Sequence, residues 1–407
     1  MDRWKVMIRL SDICEYGKDK ISVTGLDVTN YISTENMNPN KGGVTNATTL
    51  PSTLTVAKVQ IGDVLVSNIR PYFKKIWHAN KVGGCSNDVL VFRAKHGIDK
   101  KFLYYVLADD RFFEYAMASA KGTKMPRGDK TAIMQYEVPD LPLFIQEKIA
   151  GVLSSIDDKI LCNERINRNL EEQANALFRA YFVDMTIGSH ERYKETDYGR
   201  IPENWEFMML GDVGLDISDG NYSSKYPKTN EFLNEGVPFI RGTDFNGTSI
   251  NQSNMLYISP QKHEELKKGH TKRGDILITT RGDIGRIAFV PDTLIDVNIN
   301  SQLVRINGGS IVPRAYLACF LTSQRVQNDF KSLITGSALQ QLPIGNLKKV
   351  MFLLPDTSSL KNFAEQVEPL FQQIFSRAEE NIVLGKIRDT LLPKLMSGEL
   401  DMSDLDI

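Results

Sequence analysis

The sequence predicts an α+β protein made of two similar mixed α/β domains and two long helices that pair as a coiled coil. Three observations support this fold class: the chain repeats internally, both copies have the same order of elements, and each copy ends in a long amphipathic helix with heptad spacing. A chain of 407 residues is also longer than one ordinary domain.

Short matching segments define the internal repeat. Gly62-Asp63-Val64-Leu65-Val66 returns 212 residues later as Gly274-Asp275-Ile276-Leu277-Ile278, and Gly122-Thr123 returns 214 residues later as Gly336-Ser337. A nearly constant shift over most of each copy indicates a duplicated unit that folds twice.

Each copy is predicted to begin with short strands, continue with a helical stretch and end, after one more strand, in a long helix. Apolar runs between Gly, Asn and Pro predict strands at 63–67, 89–92, 275–279 and 303–306. The helical stretches are expected at 101–118 and 314–333.

The long helices are predicted at about 144–182 and 358–396, where apolar residues recur at heptad spacing. The seam of the first contains Ile149, Leu153, Ile156, Ile160, Leu170, Ala174 and Leu177, and that of the second contains Phe363, Val367, Leu370, Ile374, Leu384, Leu391 and Leu395. Asn167 and Asn381 fall at equivalent seam positions, where a buried Asn fixes the register of a coiled coil. Two unrelated amphipathic core helices are the alternative.

These patterns predict six segments in the chain. They are a first domain at 1–142, a central long helix at 143–183, a polar linker at 184–204, a second domain at 205–356, a C-terminal long helix at 357–398 and an acidic tail at 399–407 with Glu399, Asp401, Asp404 and Asp406.

The composition is that of a globular protein, with 42% hydrophobic and 24% charged residues. No apolar run reaches the roughly 18 residues of a membrane span, and the N-terminus does not resemble a signal peptide, so a cytoplasmic location is expected. Cysteines and histidines are scattered without metal-ligand spacing, so no metal site is expected. His263 and His270 are expected to lie on a solvated segment.

The net charge of −1 argues against a DNA partner and local clusters of basic side chains argue for one, so charge alone leaves DNA binding undecided. Arginine can read guanine, glutamine can read adenine, and lysine more often holds phosphate. The candidate DNA contacts are Arg70, Lys74, Lys75, Lys121, Lys124 and Arg127 in the first domain, and Lys225, Arg241, Arg281, Arg286, Gln340 and Gln341 in the second. For each residue taken singly, an ordinary solvated surface position is the alternative.

Two similar heads joined by paired helices would act as a ruler on double-stranded DNA. A helix of about 40 residues is roughly 60 Å long, whereas one turn of B-DNA is about 34–36 Å. Because the two copies differ in most side chains, we expect them to read different short sequences, which makes the target bipartite and asymmetric.

No catalytic residues are predicted. The phosphate-binding G-x-x-x-x-G-K-[ST] loop is absent, as is the Asn/Asp-Pro-Pro-aromatic motif with which adenine methyltransferases grip a flipped base. The chain is therefore expected not to be an enzyme. A diverged methyltransferase or nuclease, and a coiled-coil scaffold without DNA affinity, are the alternatives.

Several motifs resemble those of one family over essentially the whole chain. Ile201-Pro202-Glu203-Asn204-Trp205-Glu206 with Leu210-Gly211-Asp212-Val213 resembles the opening of a recognition domain in specificity subunits of type I restriction–modification systems. A shorter version opens the first copy, as Trp4 with Leu10-Ser11-Asp12-Ile13. The segments 177–184 and 391–400 resemble the ends of that family's central and C-terminal helices.

This resemblance implies two target-recognition domains, each reading half of a split DNA target, separated by an antiparallel coiled coil. It also implies that the helices dock two copies of an adenine methyltransferase subunit, which would bind S-adenosylmethionine in place of this chain, and that a motor-nuclease restriction subunit can join. Candidate docking residues on the outer faces of the first helix are Gln146, Lys148, Glu164, Arg165 and Arg168.

Overall fold

A computed structural model of the protein describes residues 6–188, 190–222, 224–252, 255–337, 339–400 and 402. The chain divides into two compact units, the first formed by residues 1–160 and 384–407 and the second by 161–383. Trp4 and three acidic residues of the predicted tail (Asp401, Asp404 and Asp406) lie outside the described residues. Among the helices of the described part, none is long and apolar enough to cross a membrane.

The first unit is a mixed α/β domain. Its strands are β1 (Met7–Arg9), β2 (Cys14–Tyr16), β3 (Lys20–Ser22), β4 (Tyr31–Ile32), β5 (Thr55–Val59), β6 (Val64–Ser67), β7 (Ile76–His78), β8 (Gly83–Cys85), β9 (Val89–Ala94) and β10 (Glu137–Pro139). Its helices are α1 (Leu10–Ile13), α2 (Lys100–Ala108), α3 (Asp110–Ala118), α4 (Lys130–Ile133) and the first part of α5 (Leu143–Phe182). The sheets have the orders β2-β9-β6-β7, β3-β5-β8-β4 and β1-β10.

The second unit repeats this plan. Its strands are β11 (Tyr193–Thr196), β12 (Gly199–Pro202), β13 (Glu206–Met209), β14 (Asp216–Asp219), β15 (Val237–Ile240), β16 (Phe245–Asn246), β17 (Ser249–Ile250), β18 (Leu256–Ile258), β19 (Ile276–Thr279), β20 (Ile287–Phe289), β21 (Asn298–Ile299), β22 (Leu303–Asn307) and β23 (Met351–Leu354). Its helices are α6 (Pro260–Glu265), α7 (Arg314–Thr322), α8 (Gln324–Leu333), α9 (Ile344–Leu347) and most of α10 (Thr357–Ser397).

The internal repeat is therefore a repeat of structure, as the sequence predicted. The four-stranded sheet β14-β22-β19-β20 has the order of β2-β9-β6-β7, and the pair β13-β23 corresponds to β1-β10. The other mixed sheet of each unit differs, because β8 is the strand that pairs with both β4 and β5, whereas β15 pairs with both β18 and β21. A common scaffold thus carries two sheets of different strand order.

The Gly-Asp segment that reveals the repeat also has a structural cause. Gly62 and Gly274 have φ values of +89° and +83°, which favour glycine where each central strand begins. The aspartates that follow are buried: Asp63 pairs with Arg93 at 2.9 Å, and Asp275 lies 3.5 Å from Arg305. Each unit therefore contains a buried carboxylate that pairs with a guanidinium from the neighbouring strand.

Each predicted helical stretch is two helices. The first breaks at Asp109, which is extended (φ −64°, ψ 136°) and whose carboxylate accepts a hydrogen bond from the N–H of Arg111 at 2.9 Å. The second breaks at Ser323 in the same conformation (φ −61°, ψ 145°). The apolar pattern crosses these breaks, because both short helices of each pair bury apolar faces in the same core.

The long helices predicted from heptad spacing are present as α5 and α10. In the first unit Arg388 donates to Asp157 at 2.8 Å, and Lys148 donates to the carbonyl of Met402. Because one residue number rises as the other falls, these two segments run antiparallel. The expected seam positions are largely buried, including Ile149, Leu153, Leu170, Ala174, Phe363, Val367, Ile374 and Leu395.

Trp205 has a structural role in the segment that opens the second copy. Its indole is 1% exposed and its Nε1 donates to Asp356 at 2.7 Å. The ring packs against Phe182 with centroids 5.6 Å apart. This contact joins the end of α5, the start of β13 and the residue preceding α10 within the second unit.

Candidate nucleic-acid interface

In each unit, the loop after the central strand meets a short hairpin that follows the helix pair. In the first unit, loop 68–75 meets hairpin 121–127, where Ile69 pairs with Arg127 and the N–H of Arg70 donates to Pro126 O at 2.8 Å. We call these two segments the first loop pair.

The second loop pair consists of loop 280–286 and hairpin 335–341. Arg281 pairs with Gln341 through the backbone, and the N–H of Leu342 donates to Thr280 O at 2.9 Å. Gln341 thus takes the position that Arg127 has in the first unit. The duplication places corresponding loops together but equips them with different side chains.

The hairpins share a tight turn and an exposed apolar tip. Gly122 and Gly336 have φ values of +96° and +92°, and a Cβ on Gly336 would lie 2.4 Å from Leu339 O. Met125 and Leu339, at the same position of the two hairpins, are 49% and 87% exposed. Exposed loops held by a rigid scaffold often carry the binding residues of a protein.

In the first loop pair, the predicted lysines differ in how exposed they are and in whether another residue already binds them. Lys74 forms a 2.7 Å ion pair with Asp110, and Lys75 donates to Thr34 O at 2.6 Å. Burial lowers the pKa of Lys75. Lys121 is 84% exposed and pairs with Asp129 at 2.8 Å, which raises the pKa of Lys121. Lys124 is exposed.

An exposed aromatic pair that the sequence analysis missed follows Arg70 in the first loop pair. Arg70 is half-buried with φ +50°, and Arg127 is exposed and forms a 3.0 Å ion pair with Asp88. Tyr72 and Phe73 follow Arg70, are 49% and 37% exposed, and contact each other with ring centroids 4.7 Å apart. The Pro71 turn that presents both rings was the available signal.

In the second loop pair, Arg281 and Gln341 form one polar group. Arg281 Nη2 and Nε donate to Gln341 Oε1 at 2.8 and 3.2 Å, and the guanidinium lies 5.7 Å from the ring centroid of Tyr222. Burial raises the pKa of Tyr222, and the positive charge of Arg281 opposes that shift. Tyr222, exposed by 53%, was not among the predicted residues.

The other predicted contacts of the second unit lie in different surroundings. Arg286 donates to Phe245 O at 2.9 Å, and Arg241 forms a 2.7 Å ion pair with the buried Asp244. Both arginines are half-buried, so they support loops of the second unit. Lys225 and Gln340 are exposed. The DNA contacts themselves remain predictions.

Asn163 is a buried polar residue of the helix pair that the seam analysis missed. Asn163 is 0% exposed, and its Nδ2 donates to Asn381 Oδ1 and to Glu380 Oε2, both at 2.8 Å. Asn167, half-buried, donates to Ile374 O at 3.3 Å. Asn163 escaped notice because Arg377 occupies the equivalent position of the other copy, so the repeat did not mark it.

One predicted docking residue is placed elsewhere. Gln146 is 3% exposed, its Oε1 accepts from the N–H of Asp99 at 3.0 Å, and its Nε2 donates to Leu141 O at 2.7 Å. It therefore joins α5 to the start of α2 and does not lie on an outer face. Heptad spacing alone did not reveal this, because the neighbouring domain covers this end of the helix.

Three of the cysteines are buried and have the chemistry of unreactive thiols. Burial raises the pKa of Cys14 and Cys85 to about 12 and raises that of Cys319 further. Since the thiolate is the reactive form, these side chains are not nucleophiles at neutral pH. Cys162 is exposed.

Two copies of one fold, each with its own polar loop pair and each joined to a long helix, define a duplicated recognition protein. The family model for the type I restriction modification DNA specificity domain matches residues 1–172 and 202–383. The chain belongs to this family of type I restriction–modification specificity subunits, and the resemblance seen in its motifs is confirmed.

Individual relatives are also specificity subunits of type I systems. The type I restriction enzyme MjaIX specificity subunit of Methanocaldococcus jannaschii is 29% identical over 321 residues, covering 76% of this chain and 71% of the relative. The HindI specificity subunit of Haemophilus influenzae is 24% identical and covers 88% and 90% of the two chains. The crystal structure of a type I S subunit from M. genitalium shares the fold, with a TM-score of 0.52, 16% identity and coverage of 99% and 98%.

Proposed function

We propose that this chain reads a bipartite, asymmetric sequence in double-stranded DNA and carries the adenine methyltransferase and restriction subunits of a type I complex to it. The observation that supports this most strongly is the duplicated loop pair, which occupies the same place in both units with different side chains. The names of the relatives, which are specificity subunits of type I restriction enzymes, point to the same role.

The asymmetry follows from the side chains at corresponding positions. Arginine forms bidentate hydrogen bonds with guanine, and glutamine does so with adenine. Arg127 in the first loop pair is replaced by Gln341 in the second, and the aromatic Tyr72 and Phe73 accompany only the first. Two units that present different donors and acceptors would prefer different half-sites.

Two weak half-sites also explain why the domain is duplicated. A mismatched base pair costs about 1–3 kcal/mol, so a short half-site alone cannot outcompete the many nonspecific sites of a genome. Joining two readers in one chain raises the effective concentration of the second once the first is bound. Each unit can then bind modestly while the pair is selective.

In this proposal the partner subunits would carry out methyl transfer and DNA cleavage. In this proposal two copies of an adenine methyltransferase subunit dock on the long helices and supply S-adenosylmethionine, and a motor-nuclease subunit joins to restrict DNA. Lys148, Glu164, Arg165 and Arg168 remain the candidate docking residues on α5. The chain itself would be non-catalytic and work in the cytoplasm.

The test is the methylation pattern of DNA from cells that express this chain with its neighbouring methyltransferase subunit, read by single-molecule sequencing. We expect adenine methylation at one split, asymmetric motif, and its loss when the chain is omitted. Methylation that is indifferent to the chain would refute the proposal. Methyl transfer by the purified chain alone would instead favour a diverged enzyme.

Substituting Arg281→Ala should weaken recognition of one half-site. The change removes the guanidinium that joins Gln341 and Tyr222, and loss of a base-reading arginine typically costs about 1–3 kcal/mol, or roughly 5- to 150-fold in affinity. Binding of the methyltransferase complex to its target DNA, measured by fluorescence anisotropy at fixed salt, checks this.

Arg192→Ala is the matched control, because Arg192 is an exposed arginine of the second unit outside the loop pair. We expect its affinity to stay within about twofold of wild type, and we expect both variants to retain the methyltransferase subunits. Equal DNA affinity of the Arg281 and Arg192 variants would favour a scaffold without DNA affinity at this site.

A further inference from the structure

His263, His270 and Asp296, none of which belongs to the loop pair, meet in the second unit. His263 lies on α6, His270 lies in the segment that leads from α6 toward β19, and Asp296 precedes β21. The sequence analysis expected the histidines on a solvated segment, but their side chains are only 15% and 31% exposed. Their ring centroids are 4.3 Å apart.

One carboxylate oxygen faces both imidazoles. Asp296 Oδ1 lies 2.9 Å from His270 Nδ1 and 3.7 Å from His263 Nε2, and the three ligand atoms all lie within 4.8 Å of one another. Ligand atoms about 2.0–2.2 Å from a tetrahedral zinc are separated by about 3.3 Å. The two measured separations bracket that value, so a small shift would bring these atoms around one ion.

The remaining nitrogen of each histidine is already held by an oxygen acceptor. His263 Nδ1 lies 2.5 Å from Asn298 Oδ1, and His270 Nε2 contacts the carbonyl of Leu266. Metal-binding histidines almost always donate their second N–H to a carboxylate, a backbone carbonyl or a similar acceptor, which orients the ring and selects its tautomer. Here this outer support selects His263 Nε2 and His270 Nδ1 as the ligand atoms.

The backbone at Asp296, which carries this carboxylate, is also held in place. Asp296 has φ +54°, an unusual conformation for a residue with a side chain, and its N–H donates to Thr271 O at 2.9 Å. The neighbouring Asn298 is fully buried, and its Nδ2 has no hydrogen-bond partner among the described residues. Residues held in sparsely populated backbone regions tend to lie at functional sites.

We propose that His263, His270 and Asp296 bind a divalent transition-metal ion of the zinc class. Two imidazoles and one carboxylate suit zinc, and an N,N,O ligand set disfavours calcium and magnesium, which prefer oxygen ligands. The fourth position would be taken by water. The ion would connect α6, the segment before β19 and the segment before β21 within the second unit.

Zinc binding to the full-length, tag-free chain after chelator treatment tests the site. Isothermal titration should give one zinc per chain, and cobalt should give the visible absorption of a four-coordinate ion. His263→Gln, His270→Gln and Asp296→Asn should each weaken binding at least about 100-fold, since each removes a ligand. Asn298→Ala should weaken it by about 10- to 100-fold through the outer support.

His96→Gln is the control, because His96 is an exposed histidine of the first unit and the chemical change is the same. We expect it to bind zinc like wild type. Asp296 is 70% exposed, so Asp296→Asn should fold, which far-ultraviolet circular dichroism verifies. The absence of saturable binding at one equivalent, or binding that the ligand variants leave unchanged, would overturn the proposal.

Zinc should also stabilise the second unit. An ion that binds only the folded state, at 100 times its Kd, should raise the melting temperature by roughly 5–10 °C. The rise should be lost in His263→Gln and Asp296→Asn and kept in His96→Gln. An equal rise in all of these variants would mean that zinc acts elsewhere on the chain.

Discussion

Arg305→Leu should lower the free energy of unfolding of the second unit by about 3–5 kcal/mol. Arg305 is buried, and its guanidinium contacts Asp216 at 3.0 Å and Asp275 at 3.5 Å. The substitution leaves Asp275, which is 0% exposed, without its cationic partner. An uncompensated buried charge costs far more than an exposed ion pair gains.

The remaining contacts of Asp275 determine how large this effect is. Its carboxylate also accepts from Asn307 Nδ2 at 2.8 Å and from the N–H of Lys272 at 2.7 Å. Burial raises the pKa of Asp275, which indicates that the surroundings already disfavour its charge. Asp275→Asn in the Arg305→Leu background should therefore recover part of the lost stability, because it removes that charge.

Urea unfolding of the full chain, followed by tryptophan fluorescence, can measure the free energy of unfolding of the second unit alone. The three tryptophans are Trp4, Trp77 and Trp205, so Trp4→Phe and Trp77→Phe leave Trp205 as the reporter of the second unit. Arg273→Leu is the control, because Arg273 is 78% exposed and pairs with the exposed Asp292 at 2.8 Å. It should cost less than about 1 kcal/mol. Equal costs of the two substitutions would contradict the prediction.

Removing one heptad from both long helices should abolish recognition of the original DNA target. Seven helical residues correspond to about 10 Å, or roughly three base pairs of DNA. In the proposed function the helices set the spacing between half-sites, so the complex should either methylate a motif with a spacer about three base pairs shorter or fail to methylate.

Deleting 158–164 and 380–386 suits this experiment. The two deletions remove both partners of the Asn163–Asn381 hydrogen bond together, and they keep Asp157 and Arg388, which pair at 2.8 Å. A heptad also keeps the apolar seam in phase, since the helical face repeats every seven residues in a coiled coil. The retained residues can therefore pair as before.

Single-molecule sequencing of methylated DNA reads the outcome directly. The control is Asp158→Ala with Lys386→Ala, which alters exposed side chains in the same segments and leaves helix length unchanged. This control should methylate the original motif. An unchanged spacer in the shortened protein would show that the helices do not set the distance between half-sites.

Periodic and repeated features could be predicted from the sequence. Heptad spacing placed α5 and α10 within one residue at each end, because a helix buried along one face must repeat its apolar residues. The Gly-Asp segments marked the start of the central strands, because a positive φ and a buried charge constrain both residues in each copy. The helix breaks at Asp109 and Ser323 were missed, since the apolar pattern continues across both.

The candidate interface was predicted less completely. Basic side chains could be located by residue type. Whether they are free to contact DNA depends on partners distant in sequence: Lys74 pairs with Asp110, and Arg281 joins Gln341 60 residues away. Arg241 and Arg286 are side chains of the predicted type whose contacts support the fold around them. Charge alone does not distinguish these roles, because both use the same guanidinium.

By itself, the sequence determined that this protein is a duplicated α+β chain with two long paired helices, because repetition and periodicity are properties of residue order. Only the tertiary structure decided which side chains meet. The fold brought Arg281 to Gln341, Asn163 to Asn381, and His263 to His270 and Asp296. Their spacing in the sequence did not predict these contacts. The physical reason is that hydrogen bonds and ion coordination act over about 3 Å in space, and loops bring together residues that the chain keeps far apart.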